Sequence, residues 1–290
     1  MNALTLPATI TPAGVTPTGE TLTRELPGIG TLRFENYEAG EWVTKKGTPG
    51  KTSRRRYLLD DVELDAVSSI TGTLDKPALL YWYEDQSSRG AVQAERMGEL
   101  AGVAEEDYAK RIRALGLGAS AARDEGADRG KAIHTAMHTL VVEGRPPNPA
   151  DFPVTWRRWV QGAMRAWLAL DPEPIASEEI ACHPELGYGG RPDLLAIVAG
   201  KLTLIDYKTG KGKVYDSAHY QTRLYAMALR RCLGIDVERI VIVGIDDDGG
   251  YLPVECEASE KDAIALLDTY RSRKRINAGM ATQRRIAVAA

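Results

Sequence analysis

Between residues 194 and 205 the chain holds two apolar runs, Leu194-Leu195-Ala196-Ile197-Val198 and Leu202-Thr203-Leu204-Ile205, separated by Ala199-Gly200-Lys201. Continuous apolar runs bounded by a glycine turn predict two paired strands covered on both faces. An aspartate stands at the outer end of each run: Asp193 precedes the first and Asp206 follows the second. An unpaired charge beside an apolar core is costly, so carboxylates placed there call for a partner. Lys208 lies two residues after Asp206, and the period of a strand sends both side chains to one face. Two carboxylates and a lysine converging at a hairpin mouth suit a divalent cation and a phosphate. The structural alternative is a buried Asp–Lys pair with a turn aspartate.

The rest of the chain reads as helices and strands around this hairpin. Residues 1–60 are rich in Thr, Pro and Gly, with short alternating pieces at 22–26, 31–34 and 41–43 that predict a few strands or an extended arm. Helical patterns are expected over 65–82 and 92–117. A clearer one covers 124–143, where Ile133, Ala136, Met137, Leu140 and Val141 share a face and Gly144 ends it. A further helix over 154–170 stops at Asp171-Pro172. Strands are expected at 175–183, 188–198 and 202–207. A helix at 216–233, with Asp216 or Ser217 as its cap, ends before Gly234. A hairpin at 239–245 and 251–256 and a helix at 260–277 complete the pattern. The expected fold class is α/β with a mixed sheet flanked by helices, divided into an N-terminal extension (1–60) and a main domain (61–290).

Five elements in order resemble the PD-(D/E)xK nuclease superfamily, in particular its RecB-like exonuclease branch. They are Gly130 followed by His134, a glutamate at 178, Gly190 to Asp193, Asp206-Tyr207-Lys208-Thr209, and Gln221 to Tyr225. The resemblance covers residues ~65 to ~275 and implies a restriction-endonuclease-like core. It implies that Asp193, Asp206, His134 and the Tyr207 carbonyl hold Mg²⁺ or Mn²⁺. Lys208 would then orient or deprotonate the attacking water, and Glu178 would be a further ligand. Glu178 and Glu179 are adjacent, and on a strand only one can enter the site; spacing to the Gly187–Gly190 turn favours Glu178. Gln221, Tyr225, Thr209 and Lys211 are expected to face DNA, with weaker contacts from Arg191 and Tyr188. His138, one turn beyond His134, could suggest zinc, but no third nitrogen or sulfur ligand accompanies the pair. Trp82, Trp156, Trp159 and Trp167 read mostly as core, with one available as a base-stacking platform.

Net charge is −3, so charge distribution matters more than its sum. Arg54-Arg55-Arg56, the group Lys208, Lys211 and Lys213, and a basic C-terminal stretch (Arg271, Arg273, Lys274, Arg275, Arg284, Arg285) are candidate phosphate contacts or solvated faces. Cys182, Cys232 and Cys256 lack metal-binding spacing, and the four cluster cysteines of some relatives are missing, so no iron–sulfur cluster is expected. Neither an apolar span nor a secretory pattern is evident, and a cytoplasmic protein, in the host if phage-encoded, is expected. No P-loop is present. The implied activity is a metal-dependent DNA exonuclease in recombination, replication or repair, working beside a recombinase, an annealing protein or a helicase. Its rivals are a structure-specific or restriction-type endonuclease and a catalytically silent DNA-binding scaffold.

Overall fold

The computed structural model describes residues 21–37, 54–74 and 77–280; the expected strand at 41–43 and Arg284 and Arg285 lie outside them. In chain order the elements begin with β1 (Thr21–Leu26), β2 (Gly30–Tyr37), β3 (Arg54–Leu59), β4 (Val62–Ala66), α1 (Val67–Thr71) and α2 (Pro77–Arg96). Then come α3 (Tyr108–Ala114), α4 (Ala119–Glu143), α5 (Arg157–Leu170), β5 (Glu173–Ser177), β6 (Ala181–His183) and β7 (Tyr188–Gly190). The chain continues through β8 (Leu194–Val198), β9 (Lys201–Thr209), α6 (Asp216–Leu233), β10 (Arg239–Ile245), β11 (Tyr251–Glu255) and α7 (Glu260–Met280).

The predicted hairpin is β8–β9, paired antiparallel from Leu194↔Ile205 to Val198↔Lys201. It sits inside a five-stranded mixed sheet of order β11-β10-β9-β8-β5, in which β9 and β10 run parallel. Its two apolar runs are explained by two cores. Leu194, Ala196, Val198, Ile205 and Tyr207 pack with Ile133 and Met137 of α4 and with Val160, Ala163 and Ala166 of α5. Leu195, Leu202 and Leu204 point the other way, into a core shared with Leu224 and Ala228 of α6. Each large side chain removed from water in this way contributes about 1.5–3 kcal/mol. The chain leaves α6 at Gly234, whose φ of 66° is a left-handed cap that glycine adopts without strain.

A second sheet of six strands has the order β1-β2-β3-β4-β7-β6. Leu26, Leu32, Phe34 and Tyr57 from its N-terminal strands share the α6 core. The expected boundary at residue 60 falls at the turn between β3 and β4, with pairing on both sides of it. Basic clusters are largely spoken for here: Arg54 meets Glu63, Arg56 meets Glu35, and Arg271 and Lys274 of α7 both meet Asp65.

The two sheets correct the sequence reading at its centre. The strands expected at 175–183 and 188–198 are each two strands, and the halves belong to different sheets. The first break is at Glu178, whose φ of 56° turns the chain from β5 towards β6. The second is Arg191-Pro192-Asp193, between β7 and β8; Pro192 cannot donate to a ladder. A backbone bond, Glu178 N–H to the Asp193 carbonyl at 3.0 Å, ties the two crossings together. The helix expected over 65–82 is instead the end of β4, then α1 and α2, because Asp65 and Ala66 pair with Tyr188 and Gly189 across the chain. The helix expected over 92–117 breaks after Arg96 and resumes as α3; α4 starts at Ala119 rather than 124; and Tyr215 caps α6 in place of Asp216 or Ser217.

Candidate active site

Both crossings between the sheets carry acidic residues, and the bond between them brings these together. His134 of α4 places Nδ1 3.2 Å from Asp193 Oδ1 and 4.0 Å from Glu178 Oε1. One ligand atom from each of His134, Glu178 and Asp193 falls within 4.8 Å of the others. The second Asp193 oxygen accepts the Tyr207 backbone N–H at 2.8 Å, which fixes the carboxylate against β9. Glu178 is steadied from the far side by Arg191, whose Nε lies 3.2 Å from Oε2. Glu179 turns away into the protein: it is buried, pairs with Arg24 at 2.6 Å and accepts the Ile180 N–H. The left-handed turn at Glu178, not strand alternation, separates the two glutamates.

Asp206 and Lys208 leave β9 together, with Lys208 Nζ 2.6 Å from Asp206 Oδ2. Asp206 is fully buried, and its Oδ1 finds no hydrogen-bond donor among the described residues. Burial drives its pKa up to about 6, although the Lys208 ammonium opposes the shift. For Lys208, burial pulls the pKa down, but the Asp206 and Asp193 carboxylates more than offset this and raise it. Burial would lower His134 as well; the Asp193 carboxylate reverses that and lifts the imidazole to about 9. Asp193 moves the opposite way: burial pushes its pKa up, yet the His134 imidazolium brings it below the ordinary value. Glu178 is raised by burial and by its neighbour Asp193. Such opposed shifts among packed acids mark a site short of positive charge.

A divalent cation would supply that charge. Carboxylate oxygens with one imidazole suit Mg²⁺ or, better, Mn²⁺, and the orphaned Asp206 oxygen is a donor in want of a partner. The residue set therefore fits a hard cation. His138 is not presented to it: buried, it holds Ser177 Oγ through Nδ1 at 3.0 Å, and Ser177 in turn donates to the Asp193 carbonyl at 2.9 Å.

The remaining expected residues divide. Gln221 donates to the Tyr225 hydroxyl at 3.0 Å, and the Tyr225 ring lies against Gly190, where any Cβ would overlap it. Thr209 is half-buried beside Gly130, and Lys211 is exposed just beyond β9. Tyr188 is no surface contact: it is fully buried, with its hydroxyl donating to the Leu224 carbonyl at 3.0 Å. The tryptophans at 82, 156, 159 and 167 are half-buried, those at 159 and 167 packed against the core between α4, α5 and the sheet. Two features escaped the sequence: the His138–Ser177–Asp193 chain, and Arg129 stacked on Trp159 with its guanidinium 3.9 Å from the ring centroid. Only contacts distant in sequence define them, although Arg129 does adjoin Gly130.

Sequence comparison bears on the same region. The profile of the PD-(D/E)XK nuclease superfamily matches residues 107–278, more than half of the chain. The chain belongs to this superfamily. The matched span contains every member of the acidic cluster together with Asp206 and Lys208, and the superfamily's nuclease activity makes this a phosphodiester hydrolase. Among solved structures, an alkaline exonuclease from Laribacter hongkongensis aligns at 14% identity over 70% of this chain and 97% of its own, with a TM-score of 0.29. No curated protein matches the chain. Among the described residues, no helix of this nuclease is long and apolar enough to cross a membrane.

Proposed function

We propose that the chain is a Mg²⁺- or Mn²⁺-dependent DNA exonuclease of the RecB-like branch, acting at DNA ends or on single strands. The reading rests on one observation above all: His134, Glu178 and Asp193 converge where the chain crosses between sheets, beside the Asp206–Lys208 pair. Asp193, Asp206, Glu178 and His134 would hold the cation, with the Tyr207 carbonyl beside them. When bound, the cation supplies Lewis-acid charge to the phosphate and lowers the pKa of an attacking water. Lys208 enters as an ammonium, because its neighbours raise its pKa, and its charge would offset the negative charge that builds on the phosphate oxygens. The Tyr207 N–H keeps Asp193 oriented throughout. Thr209 and Lys211, at the exit of β9, and Gln221, on α6, would meet the strand being cut.

The chemistry belongs to residues 61–290, and β1 to β3 extend the second sheet. A role in recombination, replication or repair, in the cytoplasm of a bacterium or of a phage host, fits a nuclease of this branch. Its partners would be DNA and a recombinase, an annealing protein or a helicase.

The test is degradation of end-labelled linear DNA, single- and double-stranded, with Mg²⁺, Mn²⁺ or EDTA, beside a closed circle. Loss of linear DNA with cation, survival of the circle and an inactive Lys208→Ala variant are expected. Cutting of the circle would make the protein an endonuclease. Binding without any cleavage would replace the exonuclease reading with a scaffold.

A further inference from the structure

Arg129 stands on α4 immediately before Gly130 and five residues before His134. Its guanidinium stacks on Trp159 of α5, well inside the range of a cation–π contact. Trp159 is itself fixed, because its indole N–H donates to the Gly210 carbonyl at 2.9 Å. Gly130, the next residue, faces Thr209: a Cβ there would stand 3.3 Å from the Thr209 hydroxyl. Arg129 is therefore held at the point where β9 leaves the core, just past Lys208.

This arginine has no counter-charge of its own. Among the described residues none of the ion pairs involves Arg129; the side chain is half-buried, and its fully buried Nε has no acceptor. Glu125 and Asp247 are the acids whose fields reach it, yet Glu125 accepts from the Trp156 indole at 3.3 Å. A partly desolvated, unpaired charge is costly unless a ligand neutralises it. Stacking leaves the edge of the planar fork free to donate, and that edge matches a phosphate. Lys211 and Lys213 are exposed on the same exit segment, with Asp246 against Gly212 between them. Two residues of strand separate Lys208 from Gly210, about 7 Å. That corresponds to about two nucleotides at the ~3.4 Å rise of a duplex strand, and to fewer on an extended single strand.

We propose that Arg129, held on Trp159, binds a backbone phosphate of the substrate strand one or two nucleotides from the bond that is cut. The inference rests on the nuclease reading above. It makes Arg129 a residue that grips substrate without touching the reacting phosphate.

The experiment measures binding of a fluorescent single-stranded oligonucleotide to the full-length protein in EDTA across a salt series, and kcat and KM in Mn²⁺. Arg129→Gln keeps much of the stacking surface and removes the charge; Arg129→Lys keeps the charge. One lost phosphate contact on a single strand should reduce the slope of log K against log salt by about 0.7. KM should rise about tenfold with kcat little changed, as for loss of uniform binding, and Arg129→Lys should recover the slope. A packing role alone would leave the slope unmoved, and an unchanged slope in Arg129→Gln overturns the inference while the nuclease reading stands. A wild-type protein that neither binds nor cuts the oligonucleotide overturns both.

Discussion

Replacing Asp206 by asparagine should make the cation-free protein more stable while abolishing cleavage. Asp206 is completely buried, and its pKa is displaced from 3.8 to about 6. A gap of about 2 units at ~1.36 kcal/mol each places a penalty of about 3 kcal/mol on the ionised form. The folded state holds this proton more tightly than the unfolded chain does. Stability without cation therefore falls as pH rises from about 4 to about 6, and the penalty is complete above that. Asparagine carries no charge and nearly the same shape. Lys208 loses its closest partner, but its side chain is 29% exposed and Asp193 remains near it, so this costs about 1 kcal/mol. The net expectation in EDTA at pH 8 is a gain of about 2 kcal/mol. For 290 residues that is roughly 3 °C in Tm, at ~2.1 cal/mol/K per residue. Urea denaturation at pH 8 and pH 4.5 measures it, and the gain should shrink by roughly half or more at the lower pH. Added Mn²⁺, which stabilises a binding-competent protein by about 2.7 kcal/mol at a hundred times Kd, should help the wild type far more than the variant. A variant less stable than wild type at pH 8, or a gain independent of pH, would refute the reasoning.

The two adjacent glutamates should separate cleanly: Glu179→Ala breaks the buried ion pair with Arg24 and costs about 3 kcal/mol in denaturation. Its cleavage rate should nonetheless stay close to wild type, whereas Glu178→Ala should fold well and lose cleavage. Gly190→Ala forces a methyl into the Tyr225 ring, and the expected cost is about 1–3 kcal/mol, read from the same unfolding curves. His134 binds its proton more tightly folded (about 9) than unfolded (6.5), so its stabilisation is complete below pH 6.5 and is lost as pH climbs through 9. Stability profiles in EDTA should fall over that window in wild type and flatten in His134→Gln.

The hairpin and α6 could be read from sequence because their signals are local. Apolar runs, the Gly200 turn and the Gly234 cap lie within the segments they define. The sheet crossings could not be read the same way. Residues on both sides of Glu178 are buried, Ala176 and Ser177 before it and Glu179 to Cys182 after it, so burial runs through the break unmarked. Pro192 was the one local hint of the second crossing. For the same reason spacing alone favours Glu178 in the sequence, while its isolation from Glu179 comes from a left-handed turn that glutamate rarely adopts. β4 carries no local strand signal because its partner, β7, is far away in sequence.

That pairing also has a consequence in time. Asp65 must align beside Tyr188, so β4 leaves the ribosome about 120 residues before the strand that completes it. At ~5–20 residues per second the nascent chain waits roughly 6–25 s with one edge of the growing sheet unsatisfied. An open edge is a template for pairing with other chains. The carboxylates come together only after β7 and β9 have emerged. Newly made protein is therefore open to aggregation throughout the interval in which it cannot yet cut DNA.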